Sequence, residues 1–319
     1  MDQRNLGRSG LRVSVVGLGC NNFGGRLGAD GSRAVIHAAL DLGVTLFDTA
    51  DMYGNRGCSE TLLGEFLGDR RKDIVLASKF GMAMDDVGTL KGGSRRYIMS
   101  AVEASLKRLR TDWIDLYQFH TPDALTPIDE TLRAMDDLVR QGKVRYIGCS
   151  NMPAWQVIDA QWTAKSAGLT QFVSCQDEYS PLVRDAEKDL LPAMKAQGLG
   201  LLPFYPLAGG LLTGKYKRGQ KPAEGTRFVD PRFTDRYMTQ ANWNKVEKLE
   251  AFARERGHGL LDLTFSWLLA REPVASVIAG ATKPEQISAN IAAAGWKLSF
   301  EDLAQIDAIT QPVLFPQAS

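Results

Sequence analysis

The feature that most constrains the fold is a regular alternation of short apolar strands with amphipathic helical segments. Eight apolar, β-branched runs occur at residues 14–19, 44–48, 73–79, 114–120, 144–150, 172–176, 200–204 and 274–280. Nearly continuous apolar strands are typical of parallel strands that helices cover on both faces. Eight strand-helix units of this kind predict an α/β fold, a closed (β/α)8 TIM barrel.

Helical periodicity fills most of the intervals between these strands. It occurs, for example, at residues 32–43, 94–110, 128–143, 187–198 and 286–295, and several of these segments end in Gly, as helices commonly do. An open doubly wound sheet is the alternative. The stretch GLGCNNFGG (17–25) lacks the G-x-G-x-x-G spacing of a dinucleotide fingerprint, and no helical segment follows it directly. The pattern therefore favours the barrel, with this stretch as a loop at its mouth.

Two features extend the repeat. Residues 5–14 alternate around Ser9-Gly10 and predict an N-terminal β-hairpin that covers the barrel floor. After strand seven, residues 206–243 are rich in Gly, Pro and basic side chains, and they predict a long loop that serves as a lid or binding loop. Because no shift in composition marks a boundary, we expect a single barrel domain over residues 1–319.

Charge and composition exclude several functional classes. The chain has 38 Lys and Arg against 37 Asp and Glu, with no basic block, so we expect neither a nucleic acid nor a membrane surface as partner. No apolar run is long enough to span a bilayer, which predicts a cytoplasmic protein. The four cysteines form no close-spaced pair and only three histidines are present, which argues against a metal site or a disulfide framework.

Polar side chains end one predicted strand after another. In VTLFDTADMYG (44–54), Asp48 stands where the apolar run should continue, and an unpaired buried carboxylate is energetically costly. Each such residue alone has an ordinary alternative, as a helix cap, a solvated strand end or a core histidine. Together they converge on the carboxyl face of the barrel, where barrel enzymes have their active sites. The residues that end the later strands are Lys79, His120, Ser150, Asn151, Gln176, Phe204 and Tyr205.

Six motifs carry a resemblance to a known family. FDTADMYG, LASKFG, DLYQFH, IGCSN, FYPLAGGLLTGKY and IAGATKPEQISAN resemble, in this order, the motif set of the aldo-keto reductases, nicotinamide-dependent carbonyl reductases on (β/α)8 barrels. The resemblance covers essentially the whole chain. It is closest to the branch that includes the potassium-channel β-subunits and bacterial glyceraldehyde-type reductases. It implies a catalytic tetrad of Asp48, Tyr53, Lys79 and His120.

The chemistry of carbonyl reduction supports the same four residues. Reduction needs a hydride from the nicotinamide C4 and a proton, and Tyr53 is the expected proton donor. A free phenol has a pKa of about 10, which the Lys79 ammonium is expected to lower. Asp48 is the expected counter-ion of Lys79. His120 is expected to donate a hydrogen bond to the substrate oxygen, and it favours a working enzyme because the channel-subunit branch typically has Asn there.

The resemblance also implies NADPH (NADP) as cofactor. Ser150, Asn151 and Gln176 would hydrogen-bond the carboxamide. Phe204 would stack on the nicotinamide, with Tyr205 as the alternative. The residues implied for the pyrophosphate are Pro206, Leu207, Gly209 and Lys215. Those implied at the adenosine end, where a helix amino terminus suits a phosphate, are Gly280, Thr282, Lys283, Gln286 and Asn290.

The choice of dinucleotide is less sharply implied, because Thr282 and Ala289 depart from the pattern of many relatives. No acidic residue is evident there to bind a ribose 2′-hydroxyl, whereas Lys283, Lys215 and Arg227 could reach a 2′-phosphate. The sequence therefore predicts a preference for NADPH over NADH.

The expected substrate is a small carbonyl compound whose identity the sequence does not specify, and the oligomeric state is equally open. Two other functions remain as alternatives. One is a non-catalytic NADP(H)-sensing regulatory subunit, and the other is a barrel enzyme that forms a Schiff base through Lys79, which its expected partners disfavour. The candidate substrate-pocket residues are Asn21, Asn22, Phe23, Met82 and Met84.

Overall fold

The computed structural model describes residues 1–311. An antiparallel hairpin of β1 (Gln3–Asn5) and β2 (Arg12–Ser14) precedes a barrel of eight parallel strands, as the sequence predicts. The barrel strands pair in chain order, and the last lies beside the first. A bridge between Leu201 and Val274 closes the remaining gap. Strands β3–β10 are Val16–Gly19, Leu46–Asp48, Val75–Phe80, Ile114–Phe119, Val144–Ser150, Phe172–Gln176, Gly200–Leu201 and Val277–Gly280.

Helices surround the barrel. Several begin at a side chain that accepts a hydrogen bond from a first-turn amide, such as Ser94, Thr239 and Ser299. The helices α1–α11 are Ala29–Asp41, Tyr53–Phe66, Arg95–Leu109, Ile128–Arg140, Ala154–Ser166, Leu190–Gln197, Pro231–Tyr237, Gln240–Glu255, Leu260–Leu269, Pro284–Ala293 and Phe300–Thr310. In the part of the chain that the structure describes, no helix combines the length and apolar character needed to cross a membrane.

Three segments differ from the sequence prediction. The strands expected at 200–204 and 274–280 are shorter, Gly200–Leu201 and Val277–Gly280. The segment 206–243, expected as a loop, contains short 3₁₀ turns, all of α7 and the start of α8. Asp230 caps the start of α7, because its carboxylate accepts a hydrogen bond from the Arg232 amide. Pro231, the next residue, occupies the first helical position, where proline is favoured.

The core has two layers. One fills the space between the strands and the surrounding helices, and the other lies inside the barrel. The hairpin contributes fully buried Leu6 and Val13 to the inner layer, where they pack with Leu46 and Leu116. The hairpin therefore closes the barrel floor, which leaves the carboxyl face for a site.

The strand register places polar residues at that face. Asp48 pairs with Gly19 on β3, Lys79 of β5 with Gln118 of β6, and Ser150 of β7 with Gln176 of β8. Because the strands are parallel and in register, these side chains are brought to one end of the barrel.

Candidate active site

A buried ion pair lies at the centre of the carboxyl face. Lys79 is fully buried, and its Nζ donates to Asp48 Oδ2 at 2.6 Å, to the Thr49 carbonyl at 3.0 Å and to Tyr53 Oη at 3.4 Å. Although burial opposes its charge, the Asp48 carboxylate raises the pKa of Lys79 above its ordinary value. The ammonium is therefore retained, with all three of its hydrogens directed at acceptors.

The second oxygen of Asp48 is held by two amides. Gln176 Nε2 donates to Oδ1 at 2.8 Å and Gln118 Nε2 at 3.1 Å. Gln118 is a residue that the sequence analysis missed, since it lies within an apolar strand and only its position opposite Lys79 singles it out. Gln176, expected to face a carboxamide, lines the cleft but directs its Nε2 to Asp48. The buried carboxylate is thus fully compensated.

Tyr53 lies at the start of α2, beyond Asp48. Its ring is 4.9 Å from Lys79 Nζ and meets the His120 ring edge-on, with 5.8 Å between the ring centroids. Burial raises the pKa of Tyr53 above its ordinary value even though Lys79 opposes this shift. The expectation that the ammonium lowers this pKa is therefore wrong for the net shift, because desolvation of the phenolate exceeds the attraction of Lys79.

His120 directly follows β6, whose last residue is Phe119. Burial lowers the pKa of His120 to about 3, and the charge of Lys79 acts in the same direction. The imidazole is therefore neutral, with one N–H to donate. Its Nδ1 is buried and has no hydrogen-bond partner among residues 1–311.

A cleft of about 840 Å³ opens above these residues. Asp48, Tyr53 and His120 line it, whereas Lys79 lies beneath its surface. All fourteen residues expected at the cofactor line the same cleft, namely Ser150, Asn151, Gln176, Phe204, Tyr205, Pro206, Leu207, Gly209, Lys215, Gly280, Thr282, Lys283, Gln286 and Asn290. The structure therefore brings the catalytic and cofactor candidates together in one continuous site.

The amino terminus of α10 differs from the expectation in one respect. Gln286 Oε1 accepts from the Thr282 amide at 2.7 Å and from the Lys283 amide at 3.3 Å. These amides are already hydrogen-bonded within the helix cap. Any anion at this end of the cleft would therefore depend on side chains, chiefly Lys283, more than on the helix terminus expected from the sequence.

The candidate substrate residues divide into two groups. Asn21, Asn22 and Met82 line the cleft. Asn22 is buried and donates to the Ala281 carbonyl at 3.2 Å. Phe23 and Met84 do not line the cleft, and Phe23 is fully buried in the outer core layer, which corrects its assignment to the pocket. Hydrophobic burial accounts for its place, since an apolar ring in the loop after a strand is as suited to the core as to a pocket.

The segment 206–243 crosses over the cleft. Arg26 donates to the Gly225 carbonyl at 2.6 Å, and Arg227 donates to Asn22 Oδ1 at 3.4 Å. At the far end of the segment, Tyr237 Oη donates to Glu178 Oε1 at 2.5 Å, and Arg236 pairs with the same carboxylate. These contacts join the segment to the β3–α1 loop and to the residues after β8.

The structure adds cleft residues that the sequence analysis did not assign. They are mostly on the loop after β3 and on the segment 206–243, which the sequence analysis expected as a binding loop without naming these positions. Among them, Glu224 places an acidic side chain in the cleft, where none was expected near the dinucleotide. The principal additions are Arg26, Met52, Tyr216, Glu224 and Leu261.

Comparison with known proteins identifies the family. The model of the Aldo/keto reductase family matches residues 15–311. A probable voltage-gated potassium channel subunit beta from Oryza sativa subsp. japonica is 38% identical, and the match covers 92% of this chain and 91% of the relative. The uncharacterized oxidoreductase YrpG of Bacillus subtilis (strain 168) is 35% identical, with 97% and 96% covered. The L-glyceraldehyde 3-phosphate reductase of Escherichia coli (strain K12) is 34% identical, with 96% and 92% covered.

These relatives fall in the branch that the motifs resemble, which confirms the resemblance. With the barrel, the strand-end residues and a match over nearly its whole length, the chain belongs to the aldo/keto reductase family.

Proposed function

We propose that this protein is an NADPH-dependent reductase that converts an aldehyde or ketone to an alcohol, reversibly. The family to which the chain belongs is one of oxidoreductases. The observation that carries the proposal is the linked set of Asp48, Lys79 and Tyr53, with neutral His120 across from the tyrosine, at the base of a large cleft. This arrangement supports the proposal because it provides a proton donor, a cation beside it and a neutral hydrogen-bond donor at one place.

Tyr53 donates the proton to the carbonyl oxygen as its negative charge develops. The raised pKa keeps Tyr53 protonated before the reaction, and Lys79, 3.4 Å from its oxygen, stabilises the phenolate left behind. Asp48 keeps Lys79 charged. Neutral His120 donates a hydrogen bond to the same carbonyl oxygen and orients it toward Tyr53. The nicotinamide, when bound, supplies the hydride.

The cleft fits a nicotinamide dinucleotide. Four cations line it, Arg26, Lys215, Arg227 and Lys283, and none of them has an ion-pair partner within residues 1–311. Glu224 is the acidic residue that opposes them, since Asp48 is paired with Lys79. This excess of positive charge suits a pyrophosphate and a 2′-phosphate. Lys283 at the start of α10 is the proposed contact of the 2′-phosphate.

Phe204 is the proposed stacking partner of the nicotinamide ring. Tyr205 is less available, because the Arg227 guanidinium lies 5.2 Å from its ring centroid and Phe233 meets its edge. Ser150 and Asn151 are proposed to bind the carboxamide. Asn151 adopts a left-handed conformation with φ 55°, and its Nδ2 donates to the His120 carbonyl, so that its position is tightly set.

The proposed substrate is a small carbonyl compound that enters beside Asn21 and Met82. A relative named as a channel subunit raises the second candidate, a non-catalytic NADP(H)-sensing subunit. His120 favours the enzyme, because it supplies an N–H donor beside Tyr53. The four cysteines are free thiols, which fits a reducing compartment and supports the cytoplasm as the proposed location.

A direct test measures NADPH oxidation with aromatic aldehydes, dicarbonyls and sugars for the wild type and Tyr53→Phe. Nucleotide binding is followed separately by fluorescence. We expect turnover by the wild type and a loss of about 10²–10⁴-fold in Tyr53→Phe with NADPH affinity retained. Tight NADPH binding without turnover of any carbonyl would support the sensing subunit. Full activity in Tyr53→Phe would refute the assignment of the proton donor.

A further inference from the structure

A second cluster of buried ionisable groups lies behind the catalytic pair, between the barrel wall and helices α2 and α3. Asp51 is 1% exposed, and its Oδ2 accepts from Tyr97 Oη of α3 at 3.1 Å. Its Oδ1 is buried without a hydrogen-bond partner in the described part of the chain. Its backbone amide donates to the Lys79 carbonyl at 3.1 Å. Asp51 therefore joins the turn that carries Tyr53 to the Lys79 strand and to α3.

The charges around Asp51 disfavour a carboxylate there. Glu60 of α2 is fully buried and is bound by Ser78 and, at 2.7 Å, by Arg108 of α3, so the cation of the cluster is already paired. Burial, followed by the charge of Glu60, raises the pKa of Asp51 to about 7, although Tyr97 and Arg108 oppose the shift.

The side chain that faces Asp51 from the barrel wall is the uncharged phenol of Tyr117. Tyr117 of β6 is fully buried, its hydroxyl has no partner among residues 1–311, and burial together with the charge of Asp51 raises its pKa. Tyr97 is uncharged as well, since burial and Asp51 raise its pKa above the ordinary value. Besides the backbone amide of Met52, the surroundings of Asp51 thus supply one side-chain hydrogen bond, from Tyr97, and no unpaired cation.

We infer that Asp51 is a positioning residue that acts with its carboxyl group uncharged, and that its ionisation slows the reduction. The inference rests on the proposed carbonyl reduction. An ionised Asp51 would place a second negative charge beside Glu60, in the turn two residues before Tyr53. Since the same turn carries Tyr53, a shift of the ionised carboxylate toward solvent would move the Tyr53 hydroxyl relative to Lys79. An uncharged Asp51 holds the turn without this penalty.

The pH dependence of kcat/KM tests the inference. Neither His120, with its pKa near 3, nor Tyr53, with its raised pKa, titrates in the neutral range. As the pH rises, kcat/KM of the wild type should fall several-fold with a midpoint near pH 7. Asp51→Asn, which cannot ionise at this position, should show no such midpoint. Asp177→Asn is the matched control, because Asp177 is a carboxyl whose pKa burial also raises, to about 8, and this variant should keep the wild-type profile.

Two neighbouring variants should move the midpoint in opposite directions. Glu60→Gln removes the repelling charge and leaves Arg108, so the midpoint should fall. Tyr97→Phe removes the hydrogen bond that favours the carboxylate, so the midpoint should rise. A merely structural role for these residues would reduce the rate at every pH without shifting the midpoint.

Infrared difference spectra of the unliganded protein give an independent measure of the charge on Asp51. Asp177→Asn is the background for this measurement, because Asp177 is a second carboxyl with a raised pKa. In that variant a protonated-carboxyl C=O band should disappear across neutral pH, and it should be absent in the double variant Asp51→Asn/Asp177→Asn. An unchanged kcat/KM midpoint in Asp51→Asn, or a band that persists in Asp51→Asn/Asp177→Asn, overturns this inference and leaves the proposed function untouched. If the wild type reduces no carbonyl at any pH while the band behaves as expected, the proposed function is what fails.

Discussion

Removing either member of the Asp48–Lys79 pair should leave a buried charge without its partner. In Lys79→Met, Asp48 can take up a proton instead, which costs at most about 4 kcal/mol at pH 7 for a group with an ordinary pKa of about 3.9. In Asp48→Asn, Lys79 can lose a proton, which costs at most about 5 kcal/mol from an ordinary pKa of about 10.4. Because Lys79 is fully buried, water cannot replace the lost partner.

The double variant Asp48→Asn/Lys79→Met should be more stable than either single variant, since it leaves no charge and loses only about 1–2 kcal/mol of packing and hydrogen bonding. Urea unfolding of all four proteins gives this comparison as the free energy of unfolding. If the two single losses simply add in the double variant, the pair is not coupled and the reasoning is refuted.

The pH dependence of these variants provides a second check. In Lys79→Met the buried carboxylate has lost its cation, so the stability deficit should be small at mildly acid pH and grow as the pH rises. In Asp48→Asn the folded-state pKa of Lys79 is depressed, so the deficit should grow as the pH falls from alkaline values. Parallel slopes in the two variants would contradict both assignments.

Three further outcomes follow from the site. Lys283→Ala should weaken NADPH binding by about threefold to tenfold and leave NADH nearly unaffected in fluorescence titrations, because Lys283 is exposed and its charge partly screened; equal losses would argue against a 2′-phosphate contact. Limited proteolysis should cut within residues 206–243 in the free protein and be suppressed by NADPH, and equal cutting would argue against a lid. By NMR, the His120 imidazole should remain neutral down to its pKa near 3, and a titration near pH 6.5 would contradict its burial.

Much of the architecture could be predicted because it depends on local patterns. Apolar strands and strand-end polar residues are visible in the sequence, and parallel register then brings Asp48, Lys79 and Gln176 together. Gln118 could not be predicted in the same way, since its role depends on lying opposite Lys79. The net direction of the Tyr53 pKa shift cannot be predicted from the sequence for a related reason, because burial of the whole turn is a tertiary property whose effect exceeds the lowering by Lys79.

The same limit applies to the segment 206–243. Its Gly and Pro content indicated a loop, and the cap at Asp230 that starts α7 was not recognised. The assignment of Phe23 to the pocket is wrong for a different reason. Its position in a loop beside the cleft does not decide on which side of the backbone the ring lies, and the ring is buried in the core.

The anchoring of the segment 206–243 has a consequence for how such an enzyme can diversify. Leu211 and Leu212 are buried at one end and Glu178 holds α7 at the other, whereas residues 217–225 are nearly all exposed. Insertions, deletions or grafted sequences between these anchors would alter the roof of the cleft without disturbing the barrel. The shape of the cleft can therefore be redesigned, or drift between relatives, while the residues at its base stay unchanged.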